Sequence, residues 1–343
     1  MKTKLIKLRI LIIGLFFFLL GMSSCNKSSE VKPLMQQTTT SSTSITRALT
    51  QDSAQYGILT KSQIQWVEQM AVTEADSIKK VDSLITAGVI IDTTSLRHKK
   101  FLMIALPDGN PRTAGLYIQD FVTHKSIFDL MVPFSPNINI SPYTNKAYVS
   151  NLIPLDTLRK YQQAGVPYCL SILGNHDASG LANFSSFTDV TAFVQIAAYI
   201  VRTQGYAAVL TDNEWSNSAS NALSNSYAMV LSELKRLLPD KLLLLYDYGV
   251  TSGTYNGKSP YGYADVYLTP FYPQMPSGSP ANKWIGSTSQ SAGSFSNPAA
   301  AIKQLISQGN RGLMFYNAQY TPSFYAPYWK ALTGGSIYAA PFK

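Results

Sequence analysis

From residue 101 onward, short apolar runs alternate with segments of helical spacing, and this alternation constrains the fold most strongly. Strands are predicted at 101–106, 127–134, 168–174, 207–212, 242–248, 265–270 and 312–317. Helices are predicted between them at 155–164, 187–204, 217–238 and 298–308. Because the apolar runs are nearly continuous, the strands are expected to be buried on both faces, as parallel strands covered by helices are. The pattern therefore predicts an α/β architecture.

The length of this region favours a closed TIM (β/α)8 barrel over an open sheet, since about eight β/α units in roughly 240 residues suit that fold. The alternative is a doubly wound sheet, but no glycine-rich phosphate loop follows any predicted strand. In a barrel, chemistry takes place at the carboxyl ends of the strands. The residues at those ends are Asn175, His176, Asp212 to Glu214, Tyr246 to Tyr248, Thr269 to Tyr272, Tyr316 and Asn317.

The N-terminus has the features of a secretory signal peptide. A basic start, Met1 to Arg9, is followed by an apolar run from Ile10 to Leu20 and by small residues before Cys25. The run is too short for a helix that spans roughly 30 Å of hydrocarbon. We expect residues 1–24 to be a lipoprotein signal peptide and Cys25 to be acylated; plain secretion with an ordinary cleavage site is the alternative.

Three further segments follow the signal peptide. Residues 25–58 are rich in Ser, Thr and Gln and predict a flexible tether. Residues 59–96 contain apolar positions at helical spacing and predict a helical N-terminal segment. The barrel is expected at 97–343, and the basic cluster Arg97 to Lys100 is expected to be a solvated segment before its first strand.

Charge and composition argue against several partners and cofactors. Loss of Lys2, Lys4, Lys7 and Arg9 with the signal peptide leaves a net charge of 24 − 19 = +5, and the remaining basic residues are scattered. No nucleic-acid footprint emerges from this distribution. The three histidines lack ligand spacing and Cys169 lacks a partner once Cys25 is acylated, so we expect no metal, cofactor or disulfide.

The stretch from Tyr206 to Trp215 carries the most informative pair of carboxyls. Residues two apart on a strand project from the same face about 6.5 to 7 Å apart, so Asp212 and Glu214 would both point into the barrel mouth. Two carboxyls that converge on one pocket are what glycosidic chemistry needs. Taken alone, such a pair is a weak signal, because an Asp-x-Glu at a strand end is more often a cap for the next helix or two solvated side chains.

Neighbouring motifs add a family resemblance. Ser171 to His176, followed by Gly180 to Phe184, closely resembles a segment of the endo-β-N-acetylglucosaminidases of the Endo H type, in glycoside hydrolase family 18. Other pieces occur in the family's order: Phe128-Asp129 with Asn137 to Asn139, Pro239 to Lys241, Thr269 to Tyr272, and Tyr316-Asn317. The resemblance covers about residues 98 to 335, and its specificity lies in the ordered set.

The resemblance implies cleavage of the chitobiose core of N-linked glycans with substrate-assisted retention. In this chemistry the 2-acetamido oxygen of the glycan is the nucleophile. Glu214 corresponds to the general acid and base, Asp212 to the residue that orients the acetamido group, and Tyr272 to a tyrosine that hydrogen-bonds it. The other strand-end residues expected to bind substrate are Asn175, His176, Trp215, Tyr246, Tyr316 and Asn317.

The catalytic strand departs from the family pattern D-x-x-D-x-D-x-E. Its first two aspartates fall on Ala207 and Leu210 in this chain. Leu210 removes the carboxylate one pleat below Asp212; the charge of that carboxylate would raise the pKa of one of the two carboxyls.

Two readings of the function therefore remain: an endoglycosidase, and a cell-surface glycan-binding protein built on a degenerate barrel. A structural scaffold of a surface complex is a third reading. The signal and the macromolecular substrate together predict an outward-facing outer-membrane lipoprotein.

Overall fold

The computed structural model describes residues 78–87, 94–107, 118–133, 137–140, 147–150, 153, 155–173, 181, 184–212, 222–246, 253–269, 280–289, 294–318 and 321–339. They lie within one compact unit that spans residues 41–343. The strands are β1 Leu102–Leu106, β2 Ile118–Asp120, β3 Leu130–Met131, β4 Asn137–Ile140, β5 Ala147–Ser150, β6 Cys169–Leu173, β7 Ala208–Asp212, β8 Leu242–Tyr246, β9 Val266–Leu268, β10 Trp284–Ser289, β11 Gly312–Tyr316 and β12 Ile337–Ala339. The α-helices are α1 Leu155–Gln163, α2 Phe187–Gln204, α3 Ser226–Leu237, α4 Pro260–Tyr263, α5 Pro298–Ser307 and α6 Pro322–Thr333.

Eight of these strands form a parallel ring. From β6 the order runs through β7, β8, β9, β10 and β11 to β1 and β3, with every pair parallel. A parallel bridge between Met131 and Tyr168, where the Met131 amide donates to the Pro167 carbonyl at 2.8 Å, joins β3 to the start of β6. The predicted TIM barrel is thereby confirmed.

Alternate residues of each strand face the inside and the outside of the ring. Leu210 and Leu244 belong to the interior cluster, whereas Val209 and Leu243 pack in the layer between strands and helices. Both layers are apolar, which explains why most strands read as continuous apolar runs. Burial of both faces supplies the main driving force for the barrel.

Some predicted elements are wrong. The seventh strand, β10, lies within 273–297, where no strand was predicted. The last helix, α6, was not predicted, since it contains Pro327 and begins at Pro322. Helix α3 begins at Ser226, later than predicted. Residues 222–225 of the predicted helix are not helical, and residues 217–221 lie outside the described residues.

An antiparallel pair of strands joins the beginning and the end of the barrel. Strand β2, which lies between β1 and β3, pairs with β12. The indole Nε1 of Trp329 in α6 donates to Asp120 at 2.9 Å, and the Phe121 amide donates to Ser336 at 2.9 Å. This two-stranded sheet therefore ties the first β/α unit to the last.

The chain enters the barrel at the amino ends of the strands. Residues Thr94–His98 form a 3₁₀ helix whose Leu96 joins the interior cluster. Arg97 bonds Asp265 and the Pro239 carbonyl, at the starts of β9 and β8, so the expectation of a fully solvated basic cluster is wrong for Arg97. Lys99 and Lys100 are exposed, as predicted.

Part of the predicted N-terminal helical segment is described. Residues 78–86 are helical, and Val81 is buried near Gly205 at the end of α2. Residues 94–96 begin the 3₁₀ helix, whereas residues 59–77 and 88–93, the tether, the signal peptide and Cys25 lie outside the described residues. None of the helices that the structure describes is long and apolar enough to cross a membrane.

Candidate active site

The fourth strand of the ring, β7, directs Asp212 into the barrel interior. Val209 packs outward, and Thr211 lies on the same side, where its Oγ1 is 2.9 Å from the hydroxyl of Tyr227 in α3. Leu210 belongs to the interior cluster, so Asp212, two residues further on, faces the interior as well. Its side chain is 0% exposed. Asp212 therefore lies on the inward-facing side of β7, and its catalytic role stays a prediction.

Tyr246 lies beside Asp212 in the same layer of the interior. The two residues are register partners at the carboxyl ends of β7 and β8. Tyr246 is 1% exposed and belongs to the interior cluster. Neighbouring strands are about 4.8 Å apart, which brings the two side chains into one small polar region. The structure thus brings together one predicted catalytic residue and one predicted substrate-binding residue.

Tyr316 and Asn317 lie at the end of the eighth strand, on the opposite side of the ring. Strand β11 is four positions from β7 in a ring of eight. Tyr316 is half-buried and packs against the interior cluster. Asn317 follows with φ +48, a left-handed conformation that Asn adopts more readily than most residues. Both predicted residues therefore occupy the carboxyl end of the barrel.

The layer below Asp212 is mainly apolar. Leu210 is the register partner of Leu244, which pairs with Val266 in the next strand, and all three are 0% exposed. On the other side Leu210 pairs with Ser171, whose hydroxyl donates to the Pro133 carbonyl. Leu210 therefore fills, with hydrocarbon, the place where the family pattern puts a second carboxylate.

The seventh strand contributes two buried serines that sequence reasoning missed. Ser287 is the register partner of Met314 and Ser289 that of Tyr316, and both serines are 3% exposed. Between them, Thr288 points outward, where its Oγ1 lies 3.2 Å from the Tyr328 hydroxyl. The alternation of Ser287 and Ser289 with Thr288 was the available signal for a strand. It was missed because a run without large apolar side chains resembles a loop.

One hydrogen bond fixes the end of the sixth strand. The indole Nε1 of Trp284 donates to Thr269 Oγ1 at 2.9 Å, and both side chains are buried. Thr269 directly precedes the sequence Pro270-Phe271-Tyr272. Trp284 is therefore a structural residue that holds Thr269, where the segment leading to Tyr272 begins.

The remaining predicted site residues lie outside the described residues. They are Glu214, Tyr272, Asn175, His176 and Trp215. No group of three metal-ligating side chains occurs in the part of the chain that the structure describes. Cys169 is a free thiol at the inner side of β6, and burial raises its pKa well above the usual range.

Comparison with known proteins places this geometry among glycosidases. Endo-β-N-acetylglucosaminidase F1 of Elizabethkingia meningoseptica is 28% identical over 256 residues, which cover 67% of this chain and 74% of the relative. An endo-β-N-acetylglucosaminidase of Flavobacterium sp. (strain SK1022) is 30% identical over 185 residues, or 49% of this chain and 59% of the relative. This chain thus matches less than two thirds of the second relative. No family model matches.

Solved structures show the same fold. EndoBT-3987 of Bacteroides thetaiotamicron with a Man5GlcNAc product superimposes with a TM-score of 0.57 at 24% identity, covering 70% of this chain and 62% of that one. Its complex with a Man9GlcNAc2Asn substrate gives 0.56 at 23% identity, with 70% and 67% covered. At this identity the likeness establishes the barrel, and the sequence relatives carry the functional comparison.

The solved structures share the TIM barrel of this chain, and the two sequence relatives are endo-β-N-acetylglucosaminidases, a class of glycoside hydrolase. The chain is thus similar to endo-β-N-acetylglucosaminidases, and the resemblance predicted from its motifs is confirmed.

Proposed function

We propose that the protein is an endo-acting glycosidase that cleaves the N,N'-diacetylchitobiose core of N-linked glycans. The observation that carries the proposal is Asp212, a fully buried carboxyl at the carboxyl end of the fourth strand that faces the barrel interior. Glu214 follows it by two residues. The relatives named as endo-β-N-acetylglucosaminidases support the same activity.

Hydrolysis is proposed to be substrate-assisted and retaining. The acetamido oxygen of the sugar attacks the anomeric carbon while Glu214 protonates the leaving oxygen, and Glu214 then takes a proton from the attacking water. Asp212 orients the acetamido group and stabilises its positive charge in the oxazolinium intermediate. Tyr272 hydrogen-bonds the same group. These steps need no metal or organic cofactor.

Polar and aromatic residues at the other strand ends are proposed to bind the glycan. Tyr246 beside Asp212, and Tyr316 with Asn317 across the ring, provide rings and polar groups at the mouth of the interior. Asn175, His176 and Trp215 are assigned to substrate binding from their sequence positions. EndoBT-3987 has been solved with Man9GlcNAc2Asn, which supports an N-linked glycan as the ligand class.

A second candidate is a glycan-binding protein without turnover. The observation that favours it is the apolar layer of Leu210, Leu244 and Val266 below Asp212, where the family pattern has a carboxylate. Such a layer places hydrocarbon below Asp212, where the family pattern has a second carboxyl. The cleft would then still bind glycan, although the set of acidic groups at the site differs from that of the family pattern.

Incubation with glycoproteins distinguishes the two functions. We expect the purified protein to release glycans from a high-mannose or a complex-type glycoprotein, as measured by mass analysis of the products. Glu214→Gln should abolish release because its amide cannot donate the acid proton. Asp212→Asn should lower kcat with a smaller effect on KM, since the carboxylate acts on the charged intermediate.

Each outcome assigns one function. Release that disappears in Glu214→Gln supports catalysis. Saturable glycan binding without release, by both wild type and variant, supports the binding protein. If neither release nor binding occurs, both functions are rejected.

The protein is further proposed to be a membrane-anchored lipoprotein of the cell envelope that faces outward. The support is the basic and apolar N-terminus followed by small residues and Cys25. Cells that express the full chain with a labelled fatty acid should incorporate label, and Cys25→Ser should eliminate it. Surface proteolysis of intact cells tests the orientation: protection of the wild-type protein would contradict an outward location.

A further inference from the structure

The amino-end face of the barrel has an excess of positive charge. Asp265, at the start of β9, accepts hydrogen bonds from Arg97 and Lys235. Lys283 and Arg311 also lie within electrostatic range of this carboxyl. Four cations thus share one carboxylate here. Lys99, which pairs with Asp129, and the exposed Lys100 extend the same face.

An exposed apolar turn lies next to this face. Phe121 is 62% exposed and Val122 is 78% exposed, and both follow β2. The turn is close to the amino ends of the strands because the Phe121 amide bonds Ser336, just beyond the end of α6. The residues that follow the turn lead into Asp129. Its backbone amide donates a hydrogen bond to the Met103 carbonyl, near the start of β1. Exposed His124 and Lys125 complete the turn.

This turn is held in one conformation by its own hydrogen bonds. Asp120 Oδ1 accepts from the amides of Val122 at 3.1 Å and Thr123 at 2.7 Å. The Phe121 ring packs edge-on against Tyr338 of β12, with centroids 5.9 Å apart. Phe121 and Val122 are therefore presented to solvent on a fixed support. Paired apolar side chains beside basic ones are typical of surfaces that contact lipid.

The N-terminal segment reaches the barrel on the same side. The 3₁₀ helix Thr94–His98 inserts Leu96 into the amino-end floor of the interior. Val81 of the preceding helix lies beside Gly205, which ends α2 just before β7 begins. Asp212, proposed above to act on the substrate, lies at the opposite, carboxyl end of the strands.

We propose that the amino-end face of the barrel, with the Phe121–Val122 turn, docks on an anionic lipid surface, so that the glycan cleft faces away from the membrane. The charge of Lys100, Lys125 and the Asp265 cluster attracts the anionic headgroups, and the turn inserts its two apolar side chains at the interface. The proposal goes beyond glycan cleavage. It complements the lipid anchor, which tethers the chain but does not set the orientation of the barrel.

Vesicle flotation tests the docking face without the anchor. The probe is the chain from Asn26 onward, without acylation, mixed with vesicles of phosphatidylcholine and phosphatidylglycerol at 3:1 or of phosphatidylcholine alone. We expect flotation with the anionic vesicles, loss of most binding in high salt, and little binding to neutral vesicles. The double variant Lys100→Glu/Lys125→Glu should weaken the vesicle binding constant about tenfold or more, since each basic group near such a surface contributes measurably.

The apolar turn is tested against matched exposed positions elsewhere. Phe121→Ser/Val122→Ser should reduce anionic-vesicle binding severalfold, and its circular dichroism spectrum should remain unchanged because both side chains are exposed. Leu155→Ser, at an exposed leucine that begins α1, and Lys303→Glu, on an exposed position of α5, are the controls and should bind as wild type.

Two results would overturn the docking proposal: no flotation of the wild-type chain with anionic vesicles, or equal losses in the turn variants and in the controls. A surface that instead recognises a protein would give the first result. Because flotation does not depend on hydrolysis, an inactive but vesicle-binding chain would reject glycan cleavage and leave docking supported.

Discussion

The environment of Asp212 determines what its carboxyl can do. It is fully buried beside Tyr246, and Leu210 occupies the interior position below it. A carboxyl in that position would be a second acid, and mutual repulsion would raise the pKa of one of the pair. With leucine there, the acid–base behaviour of the site depends on Asp212, on Glu214 and on neutral neighbours. Leucine in place of the family's aspartate at position 210 changes the electrostatics around Asp212 and leaves the packing of the barrel intact.

Replacement of Leu210 tests whether this layer is as dry as its packing indicates. Leu210→Asn should lower the free energy of unfolding by about 2–4 kcal/mol, through lost apolar packing and a buried amide. Leu210→Asp should resemble it near pH 3, where the new carboxyl is mostly protonated in both states because an unfolded-state Asp has a pKa of about 3.9. Burial raises the folded-state pKa of that group, so the native state retains the proton while the unfolded state loses it. Stability should therefore decrease further as the pH rises toward 7.

Urea denaturation at about pH 3 and pH 7 measures this difference. Leu210→Asn carries no titrating group and serves as the control for changes common to both variants. If the Asp and Asn variants lose the same stability at both pH values, water reaches position 210 and the layer is not dry.

At the scale of secondary structure, the junction between the first and last strands requires a glycine. A Cβ added to Gly312 would lie 2.2 Å from the carbonyl oxygen of Leu102 and 2.9 Å from its amide nitrogen. Both atoms belong to the backbone of β1, which pairs with β11 at this position. The neighbouring strand cannot move away without loss of this pairing.

Gly312→Ala should therefore destabilise the barrel by about 1–3 kcal/mol, the range for overpacking in a rigid core. Gly262→Ala is the control, because the atoms nearest to its added Cβ belong to the Lys258 side chain, with Lys258 Cβ at 3.1 Å, and not to the backbone of a paired strand. Thermal unfolding of both variants gives the comparison. Equal melting temperatures would mean that β1 and β11 separate easily.

The turn after β2 gives stability a defined pH dependence. Hydrogen bonds from the Thr123 amide and the Trp329 indole are the largest influences on Asp120, and they lower its pKa. A lowered folded-state pKa stabilises the protein above the unfolded value near 3.8, and the contribution is lost as the pH falls through the folded value. Asp120→Asn should be less stable than wild type at pH 7, and the gap should narrow below about pH 4. Urea midpoints across pH 2–7 test this; a gap independent of pH would contradict it.

The elements that the sequence predicted correctly are those with a single strong signal. Leu242–Tyr246 is a run of large apolar residues, and Phe187–Gln204 is a long helix bounded by Ser186 and Gly205. Strand β10 lacked that signal, because Gly286, Ser287 and Ser289 place small or polar groups where other strands have leucine. Its position is set by pairing with β9 and β11, which is information that no local window contains.

The same distinction applies to the site. Asp212 could be assigned to the interior from the alternation of its own strand. The buried Ser287 and Ser289, and the bond from Trp284 to Thr269, depend on contacts between strands that lie apart in sequence. The sequence therefore indicated the chemistry of the site and omitted part of its lining.

For the whole molecule, the contact between β2 and β12 links the two ends of the barrel. The register joins Ile118 to Ala339 and Asp120 to Ile337, and the Phe121 amide bonds Ser336. These interactions hold the segment that leads into β3 against the last helix. The ring therefore depends on residues near the C-terminus, although they contribute no side chain to the proposed catalytic site.

Two truncations test this dependence. A chain that ends at Gly335 loses all of β12 and the Ser336 bond, and we expect its free energy of unfolding to decrease by about 2–4 kcal/mol, from several hydrogen bonds at roughly 1 kcal/mol each. A chain that ends at Ala339 retains every described bond of β12 and should unfold like the full protein. Because the catalytic end of the barrel is distant, the shorter chain should keep its glycan activity at low temperature and lose it at a lower temperature than wild type. Loss of activity without loss of stability would instead place the C-terminal strand in the functional site.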